Sequence, residues 1–522
     1  MRHLSARRQA ESTFAGRQLG SSSKGPKRGR TNLNETRGAD APRCDFLGHP
    51  RSLAFLAGAE AWISFSYYGM QSLLVLYMAS QLLKPGHVEQ VLGFGPFHTA
   101  LRGLYGPLSG QPLASAICGL YAALAFATPI LGGYAADRWL GRTPTVMAGC
   151  VLLTVGYFLL AFEPSFLIAL ACLVVGAGCA GTLKAQVGDL YAKGDHKRCD
   201  AFQLSSLVVS VAVIFAPLAC GTLGEKVAWR WGFGAAAVGM LIALMIYASG
   251  LRSMPPEPAR KPQTRAIAPA LTRKDWRVLT ILVGLMPVIA VATLGNMEIF
   301  NGYLLWGKAN YQLDLFGQTM PVSWLLSMNA LVGAIAIGGS MAFWRWWGRR
   351  RRQPDEIVKV ALGAAVMALA PLILAAASLQ AEHGRKVGLL WGLSFHLVNA
   401  IGFANLYAMG IALYSRAAPK SLAATVVNLF ALSIFLANLM VGRLAGLLSS
   451  MSGATFWLMH AGLMLAAAIA LLIAARLFHR QLAPSGASTL VSLDRAGERS
   501  RSADYGSRTA GGIGPESGPL AA

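Results

Sequence analysis

PPEPARKPQTRAIAPALTRKDW, residues 255–276, interrupts a chain that is otherwise dominated by long apolar runs. Its prolines break helix and its basic side chains hold it in water, so it is a linker and not a span. Working outward from it, windows of about 20 residues give six apolar spans on each side. Before the linker they fall at 53–83, 112–135, 143–161, 166–190, 203–223 and 232–250, and after it at 279–303, 321–347, 357–378, 388–414, 424–448 and 456–477. With 54% apolar residues in 522, the chain has more apolar sequence than one soluble core uses. The expectation is an all-α membrane protein of about twelve transmembrane helices in two six-helix bundles, with a binding site between the halves near mid-membrane, the major facilitator layout.

The formal charge of +23 would suggest nucleic acid in a soluble protein, but its placement argues for a bilayer and against nucleic acid. Basic residues crowd the loops after even-numbered spans: Arg138 and Arg142, then Lys193, Lys197 and Arg198, then Arg252 to Arg277, Arg349 to Arg352, and Arg416 with Lys420. By the positive-inside rule these loops and both termini are cytoplasmic, and the Ala/Gly/Arg-rich style suits a bacterial inner membrane. Five segments follow: a disordered basic tail over 1–46, a first bundle over 47–250, a cytoplasmic linker over 251–277, a second bundle over 278–480 and a disordered tail over 481–522. The seven cysteines show no paired or metal-ligand spacing, and neither a metal, a cofactor nor a catalytic constellation is expected; nothing in the pattern asks for more than a monomer.

Ionisable groups at membrane depth are costly and therefore informative. Glu60 in the first third of span one and Lys184 in the last third of span four reach similar depth, because odd and even spans run in opposite directions; they are expected to pair. Glu298 in span seven reaches the depth of Gln71 in span one, and a hydrogen bond between those two is expected to help close the outer side. Tyr67, Tyr68 and Tyr121 offer flat apolar faces with hydroxyls for a small amphipathic ligand. Asn301 and Asn329 add polar points, although asparagines inside spans commonly serve helix-to-helix hydrogen bonds. His396 is taken as the histidine well inside a span, with a structural hydrogen bond as its role. In GGYAADRWLGR, residues 132–142, Gly132, Gly133 and Gly141 permit close helix approach. Asp137, Arg138 and Arg142 form a charge cluster placed to hold the halves together in one state.

The chain resembles the proton-dependent oligopeptide transporters. The resemblance rests on FSYYGM at 65–70, LLVLYM at 73–78, TPILGGYAADRWLGR at 128–142, GTLKAQVGDLY at 181–191 and APLACGTLGEKVAWRWGF at 216–233, with looser agreement in PVSWLLSMN at 321–329 and SRAAPKS at 415–421. It implies import of di- and tripeptides by a proton-driven, rocker-like alternation of the bundles. The departures are specific. The family's first-span Glu-x-x-Glu-Arg keeps one carboxylate, as Glu60, with Ser64 where the arginine stands. A second arginine is Gln71, the span-ten glutamate is Phe403, and Ser210 stands for a span-five asparagine. The resemblance therefore places peptide binding on Tyr67, Tyr68, Gln71, Tyr121, Lys184, Ser210, Glu298, Asn301 and Asn329, and proton coupling on Glu60, Lys184 and Glu298. Two other readings stay open: the same fold carrying a different ligand or lacking proton coupling, and a receptor or scaffold on a degenerate transporter fold.

Overall fold

The computed structural model describes residues 44–46, 48–191, 195–254, 271–315, 317–382, 384–419 and 422–482. The helices follow in order: α1 Arg51–Tyr77, α2 Phe94–Tyr105, α3 Gln111–Ala135, α4 Arg142–Leu159, α5 Phe166–Ala180, α6 Leu183–Asp189, α7 His196–Thr222 and α8 Trp229–Gly250. After the linker come α9 Arg273–Ala292, α10 Leu294–Glu298, α11 Gly302–Asn310, α12 Trp324–Arg350, α13 Glu356–Ala381, α14 Leu389–Ala417, α15 Ala423–Leu444 and α16 Gly453–Leu482. The only strands described are two short antiparallel hairpins, one just before α1 and one between α11 and α12.

Eleven helical segments among the described residues are long and apolar enough to cross a membrane. The expected first span, α1, is 27 residues long but is not among them. Glu60, two tyrosines, Gln71 and several serines dilute its apolarity, and its place explains why that is tolerated: it packs against α7 and α8 inside the first half. A helix that faces protein more than lipid can carry polar side chains.

Two spans are broken. Span four pauses at Gly181–Thr182 between α5 and α6, and span seven unwinds between Glu298 and Gly302, where Asn301 leaves helical geometry at φ −137°, ψ −101°. The linker ends in a capping box. The Thr272 hydroxyl accepts from the Asp275 backbone N–H, and the Asp275 carboxylate accepts from that of Thr272, so α9 starts at Arg273, inside the stretch expected to be linker. Residues 255–270 and most of both expected tails lie outside the described residues. At the tails' inner edges the structure differs from expectation: Cys44–Phe46 pair with His49–Pro50, and α16 runs on to Leu482.

Close helix approach depends on glycines. A Cβ at Gly132 would lie 1.9 Å from the Gly178 carbonyl oxygen, so α3 and α5 touch backbone to backbone. Between the halves, a Cβ at Gly119 would lie 2.4 Å from Gly442 Cα, which lets α3 and α15 meet in the same way. Gly133, one residue from Gly132, faces open space. Gly132→Ala is therefore expected to destabilise the protein by about 1–3 kcal/mol, as overpacking does. Gly133→Ala should leave it unchanged or slightly more stable. Thermal unfolding of the two detergent-purified variants checks the contrast.

Candidate functional site

Glu60 and Lys184, the two charges that depth alone sets side by side, are in contact: Lys184 Nζ lies 3.5 Å from Glu60 Oε1. Glu60 projects from the middle of α1, and the break at Gly181–Thr182 starts α6 one residue before Lys184. Their surroundings differ sharply. The Lys184 side chain is 77% exposed and that of Glu60 only 14%. A lysine this open has water as a competitor for its partner, so the pair is held weakly and is easily exchanged for another anion.

Two helical turns further along α1, Tyr67 and Tyr68 are half-buried and meet edge to face at 5.1 Å. Tyr121 on α3 is buried close to Tyr67. The second half answers with residues the sequence did not single out. Phe300, in the unwound part of span seven, faces Tyr68 at 6.1 Å; Tyr407 on α14 lies within electrostatic range of Tyr68 and stacks on Phe403 at 5.1 Å. Phe403, which the sequence reading set at the position of a span-ten glutamate, is thus one half of an aromatic pair. Ser210 is half-buried on α7 and its hydroxyl donates to the Ser206 carbonyl within its own helix. Asn329 accepts from or faces the His396 Nδ1 at 3.1 Å, so His396 does make the structural contact expected of it.

Around Glu298 the geometry differs from expectation. Gln71 does not bond Glu298: its amide donates to the Cys118 thiol at 3.6 Å. Glu298 has no exposed surface and meets His460 of α16 instead, Oε1 to Nε2 at 3.0 Å, while its Oε2 accepts the Gly302 N–H at 3.0 Å. His460 is also fully buried, so His396 is not the sole histidine inside a span. The expected span began at 456, which left His460 one turn from its start; the helix begins at Gly453 and the ring is buried. Asn301 is 2% exposed and donates to the Ser115 carbonyl of α3 at 2.9 Å, which makes it a tie between the halves in this conformation.

The motif at 132–142 also works differently from expectation. Arg142 bonds both Asp137, at 3.3 Å, and Asp189, which links the end of span two, the start of span three and the end of span four. All three belong to the first half, so the cluster braces that bundle and does not join the two. Gly141, at φ +88°, makes the turn into α4, and Arg138 is exposed.

Contacts between the halves gather at one face, the one bearing loops that follow odd-numbered spans. There Glu225, just past α7, accepts the backbone N–H groups of Val322 and Ser323 at 3.0 and 2.9 Å. These are the N–H groups at the start of α12, where a helix favours an anion. Trp324 donates its indole N–H to the Thr222 hydroxyl at 2.9 Å, and Tyr105 of α2 donates to the Leu439 carbonyl at 3.0 Å. The exposed Lys184 lies toward the opposite face.

The chain matches the Major Facilitator Superfamily model over residues 61–442. The uncharacterized transporter YclF of Bacillus subtilis is 29% identical over 471 residues, covering 79% of this chain and 91% of that protein. The peptide transporter YePEPT of Yersinia enterocolitica is 26% identical over 473 residues, 77% and 88% of the two chains. A crystal structure of a peptide transporter, POT, in complex with sulfate superposes with a TM-score of 0.70 at 23% identity, over 84% of this chain and 96% of that one. The chain belongs to the Major Facilitator Superfamily, and a peptide transporter among its relatives supports the resemblance to the proton-dependent oligopeptide transporters. For this superfamily member the all-helical membrane fold is established.

Glu225 makes two charge-assisted hydrogen bonds across the halves, each worth about 1.5–3 kcal/mol. Glu225→Ala should therefore loosen the seal above Cys118, which is 1% exposed and bonded toward the Phe300 carbonyl. With the remaining cysteines replaced by serine, the rate of Cys118 modification by a membrane-impermeant maleimide is expected to rise roughly tenfold or more in Glu225→Ala.

Proposed function

We propose that this protein imports di- and tripeptides, or molecules of peptide-like chemistry, across a bacterial plasma membrane by alternating access coupled to protons. The observation that carries the proposal is the Glu60–Lys184 pair, with Lys184 open to water and Tyr67 and Tyr68 beside it on the same span. Family membership and the peptide transporter among its relatives support the substrate class. A carboxylate that enters a low-dielectric space needs a cation or several donors, since leaving it unpaired costs several kcal/mol. Ser64 and Gln71 stand where the family has arginines, so the substrate's carboxylate falls to Lys184. A proton on Glu60 releases the lysine and substrate takes it; loss of the substrate returns the lysine to Glu60. One pair thus links occupancy by proton to occupancy by peptide.

In this reading the face of even-numbered loops is cytoplasmic and both termini with it, in keeping with the basic residues there. The halves, joined by Glu225, Trp324 and Tyr105 at the other face, then represent the state closed to the outside. The Tyr407–Phe403 stack supports one variation, acceptance of ligands with an apolar or uncharged amino end, because aromatic faces pack apolar groups and hold an ammonium less strongly than a carboxylate would.

The test is uptake of labelled dialanine and trialanine into liposomes containing the purified protein, with and without an inward proton gradient. Gradient-driven accumulation is expected, together with at least a tenfold loss in Lys184→Ala, about 1.4 kcal/mol of binding. Exchange without accumulation would remove proton coupling from the proposal, and no peptide flux at all would remove the substrate class.

A further inference from the structure

The end of α12 on the face of even-numbered loops reads FWRWWGRRRR, residues 343–352, with five arginines set among three tryptophans and a phenylalanine. α12 is 27 residues long, about 40 Å as an α-helix, against a hydrocarbon core of about 30 Å. Counted from Trp324 at the opposite face, about 20 residues cross the core. That brings Trp344 to the interface and sets the arginines at the level of the lipid headgroups.

One side of this helix end is held by protein. The Trp344 indole N–H donates to the Asn405 amide oxygen of α14 at 2.6 Å, and the Trp344 carbonyl accepts from the Gln353 amide at 2.7 Å. The Lys359 ammonium of α13 lies 4.5 Å from the Trp344 ring centre and donates to Gln353 at 2.7 Å. Lys359 is only 6% exposed, so its charge is used within the fold. The other side is open. Leu331, Ile335, Gly338, Ala342, Trp346 and Arg349 recur at helical spacing, and all are exposed. Apolar side chains left open along a span are covered by acyl chains, and this stripe leads without a break to Trp346 and the arginines.

At the end of the stripe Arg350 stacks over Trp346 at 4.7 Å and Arg351 over Trp347 at 5.6 Å. Stacking uses the flat face of a guanidinium and leaves its in-plane N–H groups turned outward, in the fork geometry that matches phosphate oxygens. Among the described residues no carboxylate pairs with Arg345 or with Arg349 to Arg352; in the turn that follows, Glu356 takes Arg416. The helix end offsets about half a charge, which leaves most of this cluster to an anion from outside the chain.

We propose that this end of α12 binds an anionic phospholipid, its acyl chains along the stripe from Leu331 to Trp346 and its phosphate among Arg349, Arg350 and Arg351. A soluble anion would use the arginines alone, whereas a lipid uses the apolar stripe as well. The site depends neither on the substrate nor on the direction of transport proposed above.

Phosphatidylglycerol and phosphatidylcholine, one anionic and one neutral overall, serve as probes when given identical acyl chains. Full-length protein in detergent is offered equal amounts of the two, and the lipid it retains is counted by native mass spectrometry. Wild type is expected to keep phosphatidylglycerol over phosphatidylcholine, and Arg349→Gln, Arg350→Gln and Arg351→Gln together are expected to weaken that retention roughly tenfold or more. Arg138→Gln, Arg252→Gln and Arg273→Gln together remove the same charge from scattered places on the same face and should leave it unchanged. Equal retention by the two triple variants overturns the site, whether both keep the lipid or both lose it through a general attraction of that face for anions. Displacement of phosphatidylglycerol by an equal concentration of inorganic phosphate assigns the arginines to a soluble anion and also overturns it. Trp346→Ala leaves every charge in place and decides the matter where the first triple variant does not insert: about a threefold loss of phosphatidylglycerol is expected, and retention equal to wild type overturns the site.

Discussion

A carboxylate kept deep in a bundle of apolar helices has to be satisfied on the spot, and span seven is shaped by that requirement. Glu298 is met on one side by a histidine from α16 and on the other by the N–H of Gly302. The second bond exists because the helix opens there: in an unbroken helix the Gly302 N–H would be committed to the backbone carbonyl four residues earlier. Irregular backbone at membrane depth survives only where protein covers it. The cover comes from the first half, through Ser115 against Asn301 and Tyr68 against Phe300. The buried charge, the break in the helix and the junction between the bundles are one arrangement.

Glu60 and Glu298, both at membrane depth, differ most in the solvation of their partners. Glu60 has a water-exposed lysine as partner, so its pairing is weak and readily exchanged. Glu298 and His460 are wholly enclosed, and removing either partner leaves the other stranded, a loss of about 3–5 kcal/mol where such pairs have been broken. The first environment suits exchange of partners during binding, and the second suits a change of state in which many contacts move at once.

Much of this arrangement was legible before any coordinates. Apolar windows and basic loops located the spans, and opposite chain direction placed Glu60 against Lys184 without any packing information. What escaped was angular. Depth along a span says which groups share a level, but not which way each side chain turns about its helix axis. Gln71 and Glu298 share a level and turn to different neighbours, Cys118 and His460. His460 itself sits in the apolar run WLMHAGLM, one turn inside the expected start of its span, where a headgroup position and a buried one look alike. The cluster around Arg142 failed for a related reason: charge pattern marked it as a brace but did not say which helices it braces. α1 shows the converse, since its polar residues lowered its apolarity because it is an interior helix.

Gln71, at a place where the resemblance to the oligopeptide transporters leads one to expect an arginine, has a consequence that follows from the same geometry. An arginine at that place would draw the carboxylate of span seven toward span one and make an ion pair between the bundles. With a histidine of the same bundle satisfying Glu298, none is required. Among the described residues the junction of α1 and α3 with span seven and α15 is made of ring contacts, a backbone-directed amide, and the glycine-to-glycine approach at Gly119 and Gly442. Separating such a surface strips no charge of its partner. The charged tie between the halves is moved outward to Glu225, where its acceptors are backbone N–H groups at the end of a helix, near water that can replace them. At mid-membrane the junction of the bundles thus rests on no ion pair among the described residues, and the Glu298–His460 pair lies wholly inside the second half.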